Sequence, residues 1–187
     1  CPMNQNGVQG CQPACSITSG FGGAGAYSDG KFNITTEFGG WLTDYISPEE
    51  LIDIIHYVDD INLSFGATKV LTNPDTEKVK EIERRAMSVG VKLLRSQVRH
   101  LGTEENIKIL SRLYDYLSKK IEMRFATRVK DIIIKDNAVQ GVKLDNDEVI
   151  EGKYVVLCVG REGSKWLNEL FDRYQIPLSQ TQVDIGV

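Results

Sequence analysis

A glycine-rich run is the feature that most restricts how this chain can fold. Between Gly20 and Gly30 the sequence has five glycines and two alanines in eleven positions, and it continues into Lys31-Phe32-Asn33. Because glycine has no Cβ and readily adopts positive φ, such a run can approach a ligand closely and aim backbone N–H groups at one point. The run predicts a cofactor-contacting loop. A flexible linker is the alternative, although linkers are usually richer in serine and other polar residues.

Composition is that of a globular body. The 187 residues are 41% hydrophobic and 26% charged, which is enough for one substantial core or two small ones. A net charge of −4 argues against nucleic acid as a partner, since phosphate binding needs a basic face. The sequence has no apolar run of about 18 residues and no charged-then-apolar leader. These observations predict a cytoplasmic protein that binds neither nucleic acid nor membrane.

The four cysteines are unevenly placed. Cys1, Cys11 and Cys15 crowd the first fifteen residues, but their spacing lacks the C-x-x-C pairs typical of zinc and iron–sulfur sites, and a fourth ligand is not evident. Metal or redox chemistry at these three cysteines is therefore the weaker hypothesis. Cys158 lies inside the apolar run Val155 to Val159, which predicts a strand buried on both faces and a purely structural thiol.

Three helices are predicted before residue 120. Ser47-Pro48-Glu49-Glu50 is typical of a helix start and should lead to a helix ending near Phe65. Asn73-Pro74-Asp75 should open a second helix from Glu77 to Val89, and Thr103 should cap a third. The third helix has apolar residues at helical spacing, namely Ile107, Leu110, Leu113, Tyr114 and Leu117. Between the second and third helices, Val91 to Val98 has strand-like composition.

After residue 120 the apolar residues alternate with polar ones, which predicts a short antiparallel meander. The expected elements are strands over Ile121 to Thr127, Val129 to Ile134 and Val139 to Leu144, turns at Asp136-Asn137 and Asp145-Asn146-Asp147, the buried strand Val155 to Val159, and a closing helix from Trp166 to Tyr174.

Two of these segments resemble a largely uncharacterised family of FAD-dependent dehydrogenases related to the glutathione-reductase-type flavoproteins. The first is the glycine and alanine run that ends in Ser28-Asp29-Gly30-Lys31-Phe32-Asn33. The second is Gly141 to Leu144, an acidic turn, and Tyr154 to Arg161, where Cys158-Val159-Gly160 stands in place of the commoner Ala-Thr-Gly or Ala-Ile-Gly. The matches bracket residues 20 to 166 and therefore cover most of the chain.

The resemblance implies an α/β fold, namely a partial FAD/NAD(P)-binding, Rossmann-like domain with a small antiparallel meander and an inserted helical region. Residues 1–46 would hold the cysteines and the flavin-side loop, 47–120 the helical insertion, and 121–187 the meander, buried strand and closing helix. Gly20 to Gly25 matches the spacing G-x-G-x-x-G, but no apolar strand precedes it and no helix pattern follows it. The chain is therefore interpreted as an internal fragment that lacks the dinucleotide fingerprint.

The resemblance also implies roles for individual residues. The residues that would contact FAD through backbone amides and short side chains are Gly22, Gly23, Ala24, Gly25, Ala26, Ser28 and Asp29. Lys31 would place positive charge near an anionic ligand, Val129 would lie where adenine is recognised through main-chain groups, and Gly160 and Arg161 would close over the cofactor. His100 and Thr103 belong to a His-x-Gly-Thr-acidic segment that the family carries, which places them on the substrate side.

The implied reaction is hydride or electron transfer through FAD, for which NAD(P)H is an allowed electron donor and the substrate is an unspecified small molecule. No catalytic residue is assigned. The fragment alone is expected to be inactive, to bind FAD weakly and to self-associate through an exposed strand edge. Two alternatives remain open: a non-catalytic nucleotide-binding module built on the same loop, and a metal-bearing redox domain that uses Cys1, Cys11 and Cys15.

Overall fold

The computed structural model describes residues 18–160 and 162–179. It divides into two compact units, which we name the helical unit, Gly20–Glu122, and the sheet unit, to which Cys1–Ser19 and Met123–Val187 are assigned. The described residues form four α-helices and two small sheets, so the fold is mixed α/β, and every strand pair in them is antiparallel. Within this part of the chain, no helix is both long and apolar enough to cross a membrane.

The helical unit contains one two-stranded sheet and three helices. In chain order its elements are β1 (Lys31–Ile34), α1 (Pro48–Ser64), α2 (Glu77–Ser88), β2 (Gln97–His100) and α3 (Thr103–Leu117), with 3-10 turns at Gly23–Gly25 and Leu42–Asp44. Strands β1 and β2 pair so that Lys31 lies opposite His100 and Ile34 opposite Gln97. The buried apolar residues of the unit are Ile34, Leu51, Ala67 and Ile109.

Local signals set the helix starts, with one exception. The Ser47 hydroxyl accepts a hydrogen bond from the Glu50 amide at 3.1 Å, as the capping pattern predicts. Helix α2 is capped by Thr76, whose hydroxyl accepts from the Val79 amide at 3.3 Å. The prediction that Thr103 caps α3 is wrong. Gly102, at φ 79°, occupies the cap position and Thr103 is already the first helical residue, so its hydroxyl makes no capping bond.

The predicted strand from Val91 to Val98 forms only in part. The observed strand starts at Gln97, and residues 91–96 are not extended into a ladder. Because β1 has only four residues, it pairs with only four residues of β2, Gln97 to His100. The upstream residues have strand-forming side chains but no strand beside them.

The sheet unit is a three-stranded meander covered by one helix. It consists of β3 (Val129–Lys135), β4 (Ala138–Leu144), β5 (Val149–Glu151) and α4 (Ser164–Arg173), with the strands in the order β3-β4-β5. The two-residue turn Asp136-Asn137 has φ of 51° and 59°, as tight hairpins require. Leu170 of α4, Ile132 of β3 and Leu144 of β4 are all buried, with Leu170 only 1% exposed. The structure confirms the predicted antiparallel strands Val129 to Ile134 and Val139 to Leu144 and the closing helix.

Polar contacts also fix α4 on the sheet. The indole Nε1 of Trp166 donates to the carbonyl of Lys130 at 3.0 Å, and the Tyr174 hydroxyl donates to the carbonyl of Ile132 at 2.9 Å. Burial against β3 and the nearby carboxylate of Asp131 raise the pKa of Tyr174, so the phenol stays a proton donor at neutral pH.

The predicted strand from Ile121 to Thr127 is wrong. No strand forms there, and Ile121 and Phe125 are half exposed. The boundary between the two units falls inside this stretch, after Glu122, and Ala126 has φ of 50°, which interrupts an extended backbone. The alternation of apolar and polar residues is present, but no described strand pairs with it.

The predicted buried strand Val155 to Val159 is also wrong. These residues form no strand in the described chain, Val156 is 82% exposed, and Cys158 is a free, exposed cysteine. An apolar run is buried on both faces only where strands flank it and helices cover it, and the described sheet ends at β5. Cys158 is therefore not the buried structural thiol that the sequence predicts.

Candidate functional site

The glycine loop, residues Gly20 to Gly30, is a hydrogen-bonded turn. Its backbone passes through the 3-10 turn Gly23–Gly25, and four of its glycines have positive φ, as expected from the sequence. The amides of Gly23, Ala26 and Ser28 donate to carbonyls three residues earlier, at 3.0, 3.1 and 3.2 Å. These three amides stabilise the turn itself, so they are not the donors that a ligand would use.

Helix α3 holds the loop in place through a buried amide. Asn106 is 3% exposed, and its Nδ2 donates to the carbonyls of Gly25 and Ala26 at 2.7 and 3.3 Å. Gly22 faces the same helix so closely that a Cβ there would lie 2.9 Å from a methyl group of Leu110. A larger residue at this position would therefore require Leu110 to shift, and the φ of 83° at Gly22 also favours glycine.

Sequence reasoning missed Asn106, although a signal was available. Asn106 precedes Ile109, Leu110 and Leu113 by three, four and seven positions, so it lies on the apolar face of α3. A polar residue on such a face is buried only when its hydrogen-bonding groups are satisfied. The pattern therefore indicated a partner, but not that the partner was the glycine loop.

The other side of the glycine loop is open. A Cβ built on Gly25 would meet nothing within 4 Å, and the same holds for Gly20. Ala24 and Ser28 are exposed and small. A flat ligand can thus come into contact with the backbone near Gly25, where an ordinary side chain would otherwise stand.

Three residues predicted as site residues lie together beside this loop and form the acid–base cluster Asp29, Lys31 and His100. Asp29 Oδ2 is 2.9 Å from Lys31 Nζ and 2.9 Å from His100 Nε2. The β1–β2 register accounts for this, since Lys31 and His100 are opposite each other. The side chains are about half exposed, so the ion pair adds little stability but sets the positions of the charges.

Thr103 also comes close to the loop through the backbone. The Gly102 amide donates to the carbonyl of Asp29 at 3.0 Å, and the Leu101 amide donates to the carbonyl of Gly30 at 3.0 Å. These bonds bring the start of α3 next to the end of the glycine loop. The predicted cofactor-side and substrate-side residues are therefore neighbours within the helical unit.

Asp29 is expected to titrate at lower pH than an ordinary aspartate. The hydrogen bond with His100, followed by that with Lys31, lowers the pKa of Asp29. Replacing His100 by alanine should raise this pKa towards its usual range, and replacing Lys31 by alanine should raise it less. A pH titration of the Asp29 carboxyl carbon by NMR measures both shifts.

The sign of the stability effect follows from the same shift. A lowered carboxyl pKa contributes stability above the unfolded-state pKa, and the contribution is lost as the pH falls through the folded-state value. The loss of folding stability on acidification should therefore be smaller in His100→Ala than in the wild-type chain. Lys69→Ala, at an exposed lysine elsewhere on the unit, is the matched control. An Asp29 titration curve that is identical in all three variants would contradict the assigned contacts.

The remaining predicted site residues do not belong to the helical unit. Val129 begins β3, opposite Leu144, and Gly160 is an exposed turn residue with φ of 61°, both in the sheet unit. Arg161, Cys1, Cys11 and Cys15 lie outside the described residues. Among residues 18–160 and 162–179, no group of three His, Cys, Asp or Glu side chains could hold a metal ion.

A buried ion pair that the sequence did not reveal fixes β2 against α1. Arg99 and Asp59 are 3% and 6% exposed, and the guanidinium donates to both carboxylate oxygens at 2.5 and 2.6 Å. Arg99 also donates to the carbonyl of Thr68. The pair raises the pKa of Arg99, which remains charged. Because His100 is the next residue, this pair positions the strand that carries part of the acid–base cluster.

A scan of protein-family models gives no match to the chain, and a search of curated proteins gives no significant match. Support for a function therefore comes from the chain's own residues.

Proposed function

We propose that this chain is part of an FAD-dependent oxidoreductase of the glutathione-reductase type, and that its helical unit presents the glycine loop to the flavin half of FAD. In this proposal the mixed α/β fold is a portion of a Rossmann-like FAD/NAD(P)-binding domain. The observation that carries it is the open space at Gly25, in a loop that also contributes Asp29 to the acid–base cluster with Lys31 and His100.

The loop residues fit one side of a flavin. A Cβ built on Gly25 would meet no atom within 4 Å, and the adjacent Ala24 is small and exposed, so a planar ring can approach the backbone closely there. The Ser28 side chain stabilises the loop itself. Its hydroxyl donates to the carbonyl of Gly25 at 2.8 Å and accepts from the amide of Gly30 at 3.2 Å. All described strand pairs are antiparallel, so these residues fit the flavin half of FAD and not its pyrophosphate.

FAD, when bound, would supply the hydride or electron transfer. The residues of the protein would bind FAD and orient it. Lys31, the residue that follows the glycine loop, is 60% exposed, and Asp29 holds its ammonium in place at 2.9 Å. With His100 neutral the acid–base cluster carries no net charge, and with His100 protonated it carries one positive charge, which favours an anionic group on the ligand.

Flavin mononucleotide is expected to bind the glycine loop of this chain weakly, with a Kd of about 1 mM, because the loop offers few contacts. In a titration of the ¹⁵N-labelled chain, amide shifts should be concentrated between Gly22 and Asp29. ADP, which carries adenine and the pyrophosphate but no flavin, should not shift these amides. Gly25→Leu should weaken flavin mononucleotide binding by about tenfold or more, because the new side chain occupies the open face.

Gly40→Leu is the matched control for this experiment. Gly40, like Gly25, has no heavy atom within 4 Å of an added Cβ and no positive φ, so both variants should fold. Loop shifts caused by ADP and not by flavin mononucleotide would favour the nucleotide-binding module instead. Shifts by neither compound at 5–10 mM, about 5–10 times the expected Kd, would overturn the proposal.

A further inference from the structure

A second candidate site in the helical unit is a concave surface lined by residues outside the glycine loop. We name it the β1–α1 groove. It has a volume of about 440 Å³ and runs between β1, the segment 35–42 and helix α1. Its apolar walls are Phe38, Leu42, Leu51, Ile54, Ile55 and Val58. Sites for small molecules are typically concave, mostly apolar and roughly 300–1,000 Å³ in volume, so the groove has the size and character of such a site.

Several apolar side chains that line the groove are exposed to water. Ile54 and Val58 of α1 are 43% and 49% exposed, and Leu42 is 54% exposed. In contrast, the lining residues Ile34 and Leu51 are buried. A ligand in the groove would remove the exposed apolar side chains from water, which is the main favourable contribution to binding of this kind.

The polar groups along the groove are mostly uncharged. Asn33, Thr35 and Asn62 supply amide and hydroxyl groups that can donate and accept hydrogen bonds. The two charged lining residues are already paired: Asp59 is bound to Arg99, and Lys31 is bound to Asp29. A charged ligand would therefore find no unpaired countercharge among the lining residues.

From this combination we infer that the β1–α1 groove binds a small, uncharged, ring-containing molecule that carries a hydroxyl or carbonyl group. The apolar walls receive the rings, and the amide and hydroxyl side chains receive the polar group. This inference does not require flavin binding at the glycine loop. None of the lining residues lies between Gly20 and Gly30, and Lys31 is the lining residue that also belongs to the acid–base cluster.

The probe for the experiment is 2-naphthol, a flat aromatic alcohol that is uncharged at pH 7. In ¹⁵N NMR titrations of the full chain with 2-naphthol, saturable shifts should be concentrated at the groove residues Thr35, Thr36 and Asn62. Ile54→Trp should weaken binding by about tenfold or more, because the indole occupies the groove. Tyr57→Trp is the matched control, since Tyr57 lies on the same helix, is 67% exposed and does not line the groove.

Each outcome decides the inference. Saturable shifts confined to the groove, lost in Ile54→Trp and kept in Tyr57→Trp, support it. If 2-naphthol shifts amides of the wild-type chain outside the groove, or if no shift saturates, the inference is overturned. This test does not depend on whether the Ile54→Trp variant folds. Equal or tighter binding of 2-naphthalenesulfonate, the charged analogue, would overturn the assignment to uncharged molecules. Concentration-dependent dimerisation that Ile54→Trp abolishes would show instead that a second copy covers the groove.

Discussion

Replacing Asp59 by alanine is expected to reduce the free energy of unfolding of the helical unit by about 3–5 kcal/mol, because Arg99 would remain buried without its carboxylate. Both oxygens of Asp59 accept hydrogen bonds from the guanidinium, at 2.5 and 2.6 Å, and both side chains are shielded from water. Among the described residues, Arg99 would then keep its hydrogen bond to the carbonyl of Thr68. Urea unfolding of the variant and the wild-type chain measures the difference.

The double variant Asp59→Leu with Arg99→Met separates an unpaired charge from lost packing. It removes both charges and keeps apolar volume, so it should recover most of the stability lost in Asp59→Ala. Asp60→Ala is the control at the neighbouring, exposed aspartate and should change the free energy of unfolding by less than about 0.5 kcal/mol. If Asp59→Ala were as stable as Asp60→Ala, the buried pair would not hold β2 against α1.

The elements that the sequence predicted correctly are those set by neighbouring residues. Ser47 and Pro48 start α1 through a cap that spans three residues, and Asp136-Asn137 closes a hairpin through its own φ values. The periodic apolar residues of α3 were likewise sufficient to identify a helix. In each case the hydrogen bonds form within one element or one turn, so the local sequence contains the necessary information.

The strands that the sequence predicted wrongly show what local patterns cannot supply. Val155 to Val159 has the composition of a buried strand, and Ile121 to Thr127 has strand alternation, but a strand forms only where another strand offers matching N–H and C=O groups. In the described residues the meander stops at β5, so neither segment has such a partner. Side-chain pattern indicates that a segment can form a strand and does not identify its neighbour.

The candidate site likewise has a part that the sequence predicted and a part that it did not. Asp29 and Lys31 were predicted from one short motif and His100 from another, and the β1–β2 register explains why they meet. The contacts that hold this site in place were not predicted. Asn106 reaches the glycine loop from 80 residues further along the chain, and Arg99 reaches Asp59 across 40 residues. For Asn106, the sequence shows only that a polar residue lies on the apolar face of α3.

Replacing Gly141 by alanine is expected to reduce the free energy of unfolding by roughly 2–4 kcal/mol and to separate β5 from β4. Gly141 has φ of 149°, which side-chain-bearing residues rarely adopt, and an added Cβ would lie 2.1 Å from the carbonyl oxygen of Ile150. Because the obstacle is backbone of the adjacent strand, a rotamer change cannot relieve the clash. The strand itself must move.

The pairing around Gly141 explains why the strand needs a glycine there. Ile133 is opposite Gly141 and Ile134 is opposite Val139, so Gln140 is an extra residue that bulges the strand next to the glycine. Beyond the bulge, Gly141 pairs with Glu151, and the Gly152 amide donates to the carbonyl of Gln140 at 2.9 Å. The bulge brings the two backbones together at a position where no Cβ can be accommodated.

Gly152→Ala is the matched control in the same sheet. At Gly152 the nearest atom to an added Cβ is the carbonyl oxygen of Tyr154 at 3.5 Å, an ordinary contact, and φ is not positive. This variant should be as stable as the wild-type chain or gain about 0.4–1 kcal/mol, because alanine restricts the unfolded chain. Hydrogen exchange of the Val149–Glu151 amides reports on the β4–β5 pairing directly, and it should accelerate in Gly141→Ala alone. Equal protection of these amides in the two variants would show that the close approach of β5 does not depend on a glycine at this position.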